Sequence, residues 1–265
     1  FPDCTELQNM RVRDIQTPDN TKAANRSQWA HKWRAARRVE MQQMQDKGVL
    51  VPVDPKDIPR RVKPIPGRMV YAIKSTPEGF VSKFKGRFVG KGFFQRPGVD
   101  YDQTYAPCTS MTTLKMLISQ AARKDMKLFQ FDVEGAFLLP KIDKEVYIVD
   151  EDGNTYLCLR TLYGLKQSAF RWNEELDKEL KRMGMKRSEN DPCLYTKTTS
   201  EGTIMLVVWA DDVIGAATTV DMYKRFLDEF KFPKSTSEEF NYCLKIKVDR
   251  VDGMIGLQQT NAIED

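Results

Sequence analysis

Ile204-Met205-Leu206-Val207-Val208-Trp209-Ala210-Asp211-Asp212-Val213-Ile214 sets two adjacent carboxylates between apolar runs. On a strand, successive side chains point to opposite faces, and a desolvated, unpaired carboxylate is strongly unfavourable. The stretch therefore predicts a hairpin with Asp211 and Asp212 at its tip. Two readings of that tip stand side by side. Asp is a favoured turn residue, so the tip can be a solvated turn. Alternatively, it is the mouth of a cleft where a divalent cation neutralises both acids.

A second acid of the same kind closes Leu128-Phe129-Gln130-Phe131-Asp132-Val133, a buried-strand pattern ending on a carboxylate. Asp132 can cap the short segment that follows, residues 134–138, or join the Asp211-Asp212 tip if the two strands are neighbours. The order of elements permits this. A helix, the Asp132 strand, further strands, a second helix over residues 168–183, a strand, the Asp-Asp tip and a strand fit an α+β chain. They suit a split βαβ sheet with helices on one face.

The 265 residues suffice for one large domain or two smaller ones. With 41% hydrophobic and 30% charged residues, the composition is that of a soluble globular protein, and no apolar run is long enough to span a membrane. Five dispersed cysteines without C-x-x-C spacing argue for reduced thiols in an intracellular setting, against a zinc site or disulfide framework. A single histidine, His31, all but excludes His-based triads. The start, Phe1-Pro2-Asp3-Cys4, lacks an initiator Met and a signal-peptide core, as expected of a piece of something longer.

The net charge of +5 hides an asymmetry. Residues 1–100 carry 20 Lys and Arg against 10 Asp and Glu, whereas the remainder carries 22 against 27. The first part suits a polyanion and the second can hold cations. In Lys83-Phe84-Lys85-Gly86-Arg87-Phe88, period two places Lys83, Lys85 and Arg87 on one face and both phenylalanines opposite. Such a row suits a chain of phosphates, with Arg as a bidentate fork and Lys as a mobile charge.

Along the chain, residues 1–26 show no sustained period and are expected to form a loose leader. Ser27 can cap a helix reaching residue 47, with Trp29, Trp33, Ala36, Glu40 and Met44 on one stripe and Gly48 as the stop. A hairpin over residues 69–89 turns at Thr76-Pro77-Glu78-Gly79. Thr109 or Ser110 can cap a helix carrying Leu114, Leu117, Ile118 and Ala121. Strands are expected at residues 146–149 and 156–159, near Leu194 and on both sides of the Asp-Asp tip. A helix over residues 221–230 and a last hairpin turning at Asp252-Gly253 complete the pattern.

Several stretches taken together are specific: Lys83-Phe84-Lys85-Gly86-Arg87-Phe88-Val89-Gly90-Lys91-Gly92-Phe93-Phe94-Gln95, then Gly98-Val99-Asp100-Tyr101-Asp102-Gln103-Thr104-Tyr105-Ala106-Pro107, Gln130-Phe131-Asp132-Val133-Glu134-Gly135-Ala136-Phe137-Leu138, Leu162-Tyr163-Gly164-Leu165-Lys166-Gln167 and Asp211-Asp212. In this order they resemble the reverse transcriptase domain of copia-type long-terminal-repeat retrotransposon polyproteins, from about Trp29 to the C-terminus. The resemblance implies a right-hand polymerase fold with fingers and a ferredoxin-like palm sheet, the thumb being largely missing. It implies a leader over residues 1–26, mainly fingers with the start of the palm over 27–131, palm with intervening fingers and palm segments over 132–239, and a hairpin at the palm–thumb junction over 240–265.

The implied activity is RNA-directed DNA synthesis by two-metal phosphoryl transfer. Asp132, Asp211 and Asp212 would be catalytic, and with the backbone of Val133 they would hold two Mg²⁺ ions, or Mn²⁺. Lys85, Arg87, Phe137, Tyr163, Gly164, Lys166 and Gln167 would bind the incoming deoxynucleoside triphosphate, Phe137 as a gate against a ribose 2′-hydroxyl. Lys83, Lys91, Gln95 and Trp209 would touch the nucleic acid. Implied partners are an RNA or DNA template with its primer, and the ribonuclease H and integrase regions of the same polyprotein, but no membrane. The implied location is a cytoplasmic virus-like particle and the nucleus.

This chain departs from the family pattern in four places. Trp209-Ala210 stands where the family has Tyr followed by Val or another small residue, and Leu139-Pro140 replaces Asn-Gly. Lys245 replaces a Gly, and Ala262 a Tyr. Two other readings accompany the first: a decayed or domesticated copy that binds nucleic acid without polymerising, and a template-independent palm enzyme such as a cyclase. The basic hairpin and the 163–167 segment argue against the cyclase.

Overall fold

The structure, a computed structural model, describes residues 9–76, 78–237, 240, 242–243, 246–251 and 254–259. In chain order the elements are α1 (Thr21–Arg26), α2 (Ala30–Asp46), β1 (Leu50–Pro52), β2 (Ile65–Ser75), β3 (Val81–Gly90), α3 (Met111–Arg123), β4 (Lys127–Val133), β5 (Lys141–Val149), β6 (Thr155–Arg160), α4 (Ser168–Arg182), β7 (Lys186–Arg187), β8 (Leu194–Thr199), β9 (Gly202–Trp209), β10 (Asp212–Ala217), α5 (Val220–Glu229), β11 (Lys234–Ser237), β12 (Tyr242–Cys243), β13 (Ile246–Val251) and β14 (Met254–Gln258). Pro77, Lys245, Asp252-Gly253 and Ala262 lie outside the described residues.

Two compact units divide the chain, Phe1–Thr104 with Phe137–Arg171, and Tyr105–Ala136 with Trp172–Asp265. Residues 105–131 belong with the carboxylate strands, and residues 137–171 with the basic hairpin. The reason is strand pairing across long sequence separations, which periodicity does not reveal.

In the first unit a five-stranded sheet runs β1-β6-β5-β2-β3. Its pairs are antiparallel except β2 with β5. Strand β3 keeps the expected alternation: Phe84 and Phe88 are buried, while Lys83 and Lys85 are part-exposed and Arg87 exposed. Helix α2 contributes Trp33, whose ring meets Phe84 edge-on at 4.4 Å. Residues 9–26 are more ordered than the expected leader. Asn20 caps α1 through Ala23 N–H, and Ile15 and Ala24 are buried. A helix of under two turns is too short to show a period. Ser27 does not cap α2. Its Oγ donates to Ala24 O at 2.9 Å and so helps close α1.

In the second unit a six-stranded antiparallel sheet runs β11-β4-β10-β9-β8-β7. Ser110, one of the two expected caps, accepts Thr113 N–H at 3.0 Å to start α3. Helices cover both sheet faces instead of the one expected. Leu128, Ile214 and Ala216 pack into a core with Leu114, Leu117 and Ile118 of α3. Phe129 and Phe131, of opposite parity, meet Tyr223 and Phe226 of α5, with ring centroids 4.4–6.3 Å apart. One face of β4 is apolar through Phe129, Phe131 and Val133, while the other buries Leu128 and then carries the half-buried Gln130 and Asp132. Gly215 makes room for this packing, since a Cβ there would lie 2.1 Å from the Phe129 ring.

Strands β12, β13 and β14 form a separate antiparallel sheet. Strand β11 had no sequence signal, its Lys-Ser-Thr-Ser being polar throughout.

Candidate active site

In the second unit, β4 and β10 pair with Asp132 directly opposite Asp212. Directly opposed residues of an antiparallel pair share a face, so the register brings together two acids 80 positions apart. On its other side Asp212 pairs with Trp209 across the β9–β10 hairpin, which leaves Ala210 and Asp211 as the turn. The tip is tied down from β4, where Val133 N–H donates to Asp211 O at 2.9 Å. All three carboxylate residues are half-buried.

Burial and the like charge of Asp211 push the Asp212 carboxyl above its ordinary range, against a hydrogen bond from Gln130. Gln130 stands two residues before Asp132 on the same face. Its parity was legible in the sequence, but its role was not.

The turn itself is unusual. Ala210 has φ +54°, a left-handed conformation that L-residues seldom adopt. Positive φ at the first central position alone is the pattern of a type II′ turn, where glycine is the ordinary occupant. Trp172, buried on α4, donates its indole N–H to Ala210 O at 2.7 Å. That indole also meets Phe232 edge-on at 5.2 Å. Nothing in the sequence singled out Trp172. Trp209, expected to touch nucleic acid, is part-exposed beside the tip.

In the first unit, three residues expected to bind nucleotide converge. The Arg87 guanidinium lies over the Tyr163 ring at 4.8 Å, and Tyr163 meets Phe137 edge-on at 6.0 Å. The stack holds Arg87 in place on its strand. Lys83 stands opposite Lys74 across the β2–β3 ladder, and burial with the charges of Lys85 and Lys74 lowers its ammonium pKa. Like charges placed opposite each other destabilise a ladder, so this row is suited to an anion.

Glu40 of α2, expected only on a packing stripe, accepts Phe88 N–H at 3.0 Å behind the basic row. Burial raises its carboxyl pKa despite that bond and the nearby charges of Lys85 and Arg87.

Gln95 and Gln167 turn inward. Both are buried, and Gln95 Nε2 donates to Gln167 Oε1 at 2.9 Å. Gln167 Nε2 donates to Asp100 O at 3.0 Å, and Gln95 Oε1 accepts Lys166 N–H at 2.7 Å. Their amides are thereby spent on locking the 90–100 loop to the 162–167 loop. The outward groups here are Lys166 and Gly164, which are exposed, and Lys91, which is part-exposed. Gly92 and Gly164 permit the close approach of the two loops. A Cβ on Gly92 would lie 2.1 Å from Gly164 O.

The donor set of the carboxylate tip fits a hard divalent cation. Asp132 and Asp212 offer oxygens on one face with Asp211 beside them, and burial together with the Asp211 charge raises the Asp212 pKa, a cost that a cation would relieve. Among the described residues no three His, Cys, Asp or Glu side chains converge into a cage. Mg²⁺ ordinarily takes one or two carboxylates and completes its shell with water and phosphate oxygens, so a tip of this kind is adequate.

The sheet with its opposed acids defines the class first: a right-hand polymerase fold. The chain is similar to two structures of foamy viral protease-reverse transcriptase in complex with double-stranded DNA, with TM-scores of 0.51 and 0.52 at 15% identity. The similarity covers 88% of this chain and 37% and 44% of theirs.

The chain belongs to the reverse transcriptase (RNA-dependent DNA polymerase) family, whose model matches residues 53–265. It is similar to the retrovirus-related Pol polyproteins from transposons RE1 and RE2 of Arabidopsis thaliana, with 29% and 30% identity over 78% and 72% of this chain. The corresponding polyprotein from transposon TNT 1-94 of Nicotiana tabacum is 28% identical over 77% of this chain. These relatives bear out the copia-type resemblance, and the match covers 14–16% of their length. Among the described residues no helix is long and apolar enough to cross a membrane.

Proposed function

We propose that this chain carries out RNA-directed DNA synthesis for a retrotransposon, adding deoxynucleotides to a primer 3′-hydroxyl on an RNA or DNA template. The observation that carries this reading is the β4–β10 register, which sets Asp132 opposite Asp212 beside Asp211. Membership in the reverse transcriptase family supports it. In the reaction the primer 3′-oxygen attacks the α-phosphorus of a deoxynucleoside triphosphate, and pyrophosphate leaves. Two Mg²⁺ ions, or Mn²⁺, when bound, favour the 3′-alkoxide and neutralise the leaving pyrophosphate.

The residues divide the work. Asp132, Asp211 and Asp212 supply the carboxylate oxygens, with the Val133 backbone beside them. Lys85 and Arg87 offset the triphosphate charge, with Lys166 and the Gly164 backbone as further donors. Phe137, braced by Tyr163, excludes a ribose 2′-hydroxyl. Lys83 and Lys91 hold backbone phosphates, and Trp209 packs at the primer terminus. Gln95 and Gln167 act by fixing the loops that carry these groups. The setting we propose is a polyprotein that also carries ribonuclease H and integrase regions, working in a cytoplasmic particle and the nucleus.

A second reading, a copy that binds nucleic acid without polymerising, is favoured by the departures from the family pattern, Trp209-Ala210 beside the acids and Leu139-Pro140. Primer extension on an RNA template separates the two. The first reading expects Mg²⁺- or Mn²⁺-dependent extension that Asp211→Asn with Asp212→Asn abolishes. Salt-sensitive binding without extension at any metal concentration, by a chain lengthened through the thumb, would establish the second.

A further inference from the structure

The loop after β3 presents two phenylalanines to solvent. Phe93 is 72% and Phe94 55% exposed, with ring centroids 4.6 Å apart and planes tilted by 35°. Their backbone, by contrast, is held firmly. Gly90 N–H donates to Tyr163 O and Lys91 N–H to Pro66 O, both at 2.8 Å. Phe93 and Phe94 form part of a short 3₁₀ turn, Gly92–Phe94, closed by a bond from Gln95 N–H to Gly92 O at 3.0 Å. Gln95 anchors the turn from inside, and Arg96 clamps the nearly buried Asp100 carboxylate through Nε at 3.1 Å and its backbone N–H at 2.7 Å.

A rigid loop that holds paired rings in water does not use them for packing in the unit that carries them. An exposed aromatic surface marks a binding site, and its surroundings indicate the occupant. From residue 60 to residue 96 ten basic residues accompany the one acid Glu78. Lys91 directly precedes the turn, and the basic face of β3 leads into it. An apolar protein segment would gain nothing from that charge, whereas a polynucleotide supplies phosphates for the cations and π-faces for the rings.

We propose that Phe93 and Phe94 form a stacking platform for unpaired bases of a single-stranded nucleic acid. As the occupant we take the template strand of the reaction proposed above, so the nature of the polymer rests on that reading. Stacking on aromatic side chains tolerates any base, because every base has a π-face, while the phosphates supply the salt-dependent part of binding. The platform thus holds the strand without reading its sequence.

The test compares binding of the 265-residue chain to a fluorescent oligothymidylate and to an abasic oligomer of the same length and charge. The wild-type chain is expected to prefer the base-bearing oligomer by about tenfold or more. Phe93→Ala with Phe94→Ala should remove most of that preference, with affinity for the abasic oligomer and the salt slope unchanged. Phe93→Leu with Phe94→Leu, which keeps an apolar surface without rings, should behave like the alanine pair.

Equal losses on both oligomers, retained preference in the leucine pair, or no base preference in the wild type would overturn the platform. So would reduced self-association of the alanine pair with oligomer binding unaltered, which would make the rings a protein contact. A chain that stacks bases yet extends no primer even when lengthened through the thumb refutes the polymerase reading alone. A chain that extends primers without base preference refutes the platform alone.

Discussion

Replacing Ala210 by glycine should stabilise the second unit, and replacing it by valine should weaken it. Ala210 sits at φ +54°, where an L-residue costs roughly 1–2 kcal/mol because its Cβ crowds the backbone. Glycine removes that cost but loses about 0.5–1 kcal/mol of additional backbone entropy on folding, which leaves a net gain of about 0.5–1 kcal/mol. Valine adds a branch at Cβ in the same conformation and should cost a further 1–2 kcal/mol or so. In a unit of this size such changes move the melting midpoint by about 2–4 °C per kcal/mol.

The Trp172 indole N–H donates to a backbone carbonyl at position 210, so the wild type and both variants keep that bond. Tryptophan emission reports the transition, since Trp172 and Trp209 both flank the turn. The expected order of melting midpoints is Gly, then Ala, then Val. A glycine variant that melts below the wild type, or level with valine, would refute the claim that the turn is strained.

Other consequences follow from single contacts. Trp172→Phe keeps an aromatic side chain but removes the pyrrole ring and leaves the Ala210 carbonyl without its donor. It should cost about 1–2 kcal/mol in denaturant titration, and under the proposed function it should lower kcat for extension more than it changes KM for nucleotide. Glu179 is fully buried, and the Arg182 bond, helped by Lys231, depresses its carboxyl from 4.5 to about 2.

A depressed acid pKa gives stability that is present above about 4.5 and lost as pH falls toward 2. The shift corresponds to about 3 kcal/mol before screening. With Arg182 and Lys231 half-exposed, we expect about 1–2 kcal/mol. Glu179→Gln should lose that amount at neutral pH and flatten the acid limb of a stability–pH curve, and an unchanged acid limb would contradict the assignment. Gly92→Ala sets a Cβ against the Gly164 carbonyl and should cost about 1–3 kcal/mol by overpacking, read as a lower melting midpoint.

The strands that build the site were legible because their patterns are local. Period-two alternation gave the basic face of β3, and apolar runs gave β4, β9 and β10. The pairing of Asp132 with Asp212 was legible only as an option, since a register between residues 80 apart depends on the whole sheet. Strand β11 escaped because its polar residues carry no alternation, yet it pairs with β4 at Asp132.

Burial also escaped. Gln95 and Gln167 belong to a polar type ordinarily found outside, and only the facing loops make an inward pair satisfiable. Helices on both sheet faces have a local sign in Leu128 beside Phe129 and Phe131, which puts apolar side chains on both faces where β4 begins.

The central claim is that Asp132 works with the Asp211-Asp212 tip in templated synthesis. Single-turnover incorporation of one deoxynucleotide on an RNA template, comparing wild type with Asp132→Asn, tests it most directly. Loss of one carboxylate at a two-metal site should slow incorporation by about a hundredfold or more, with affinity for primer–template unchanged. Incorporation by Asp132→Asn within a few-fold of the wild-type rate would contradict it.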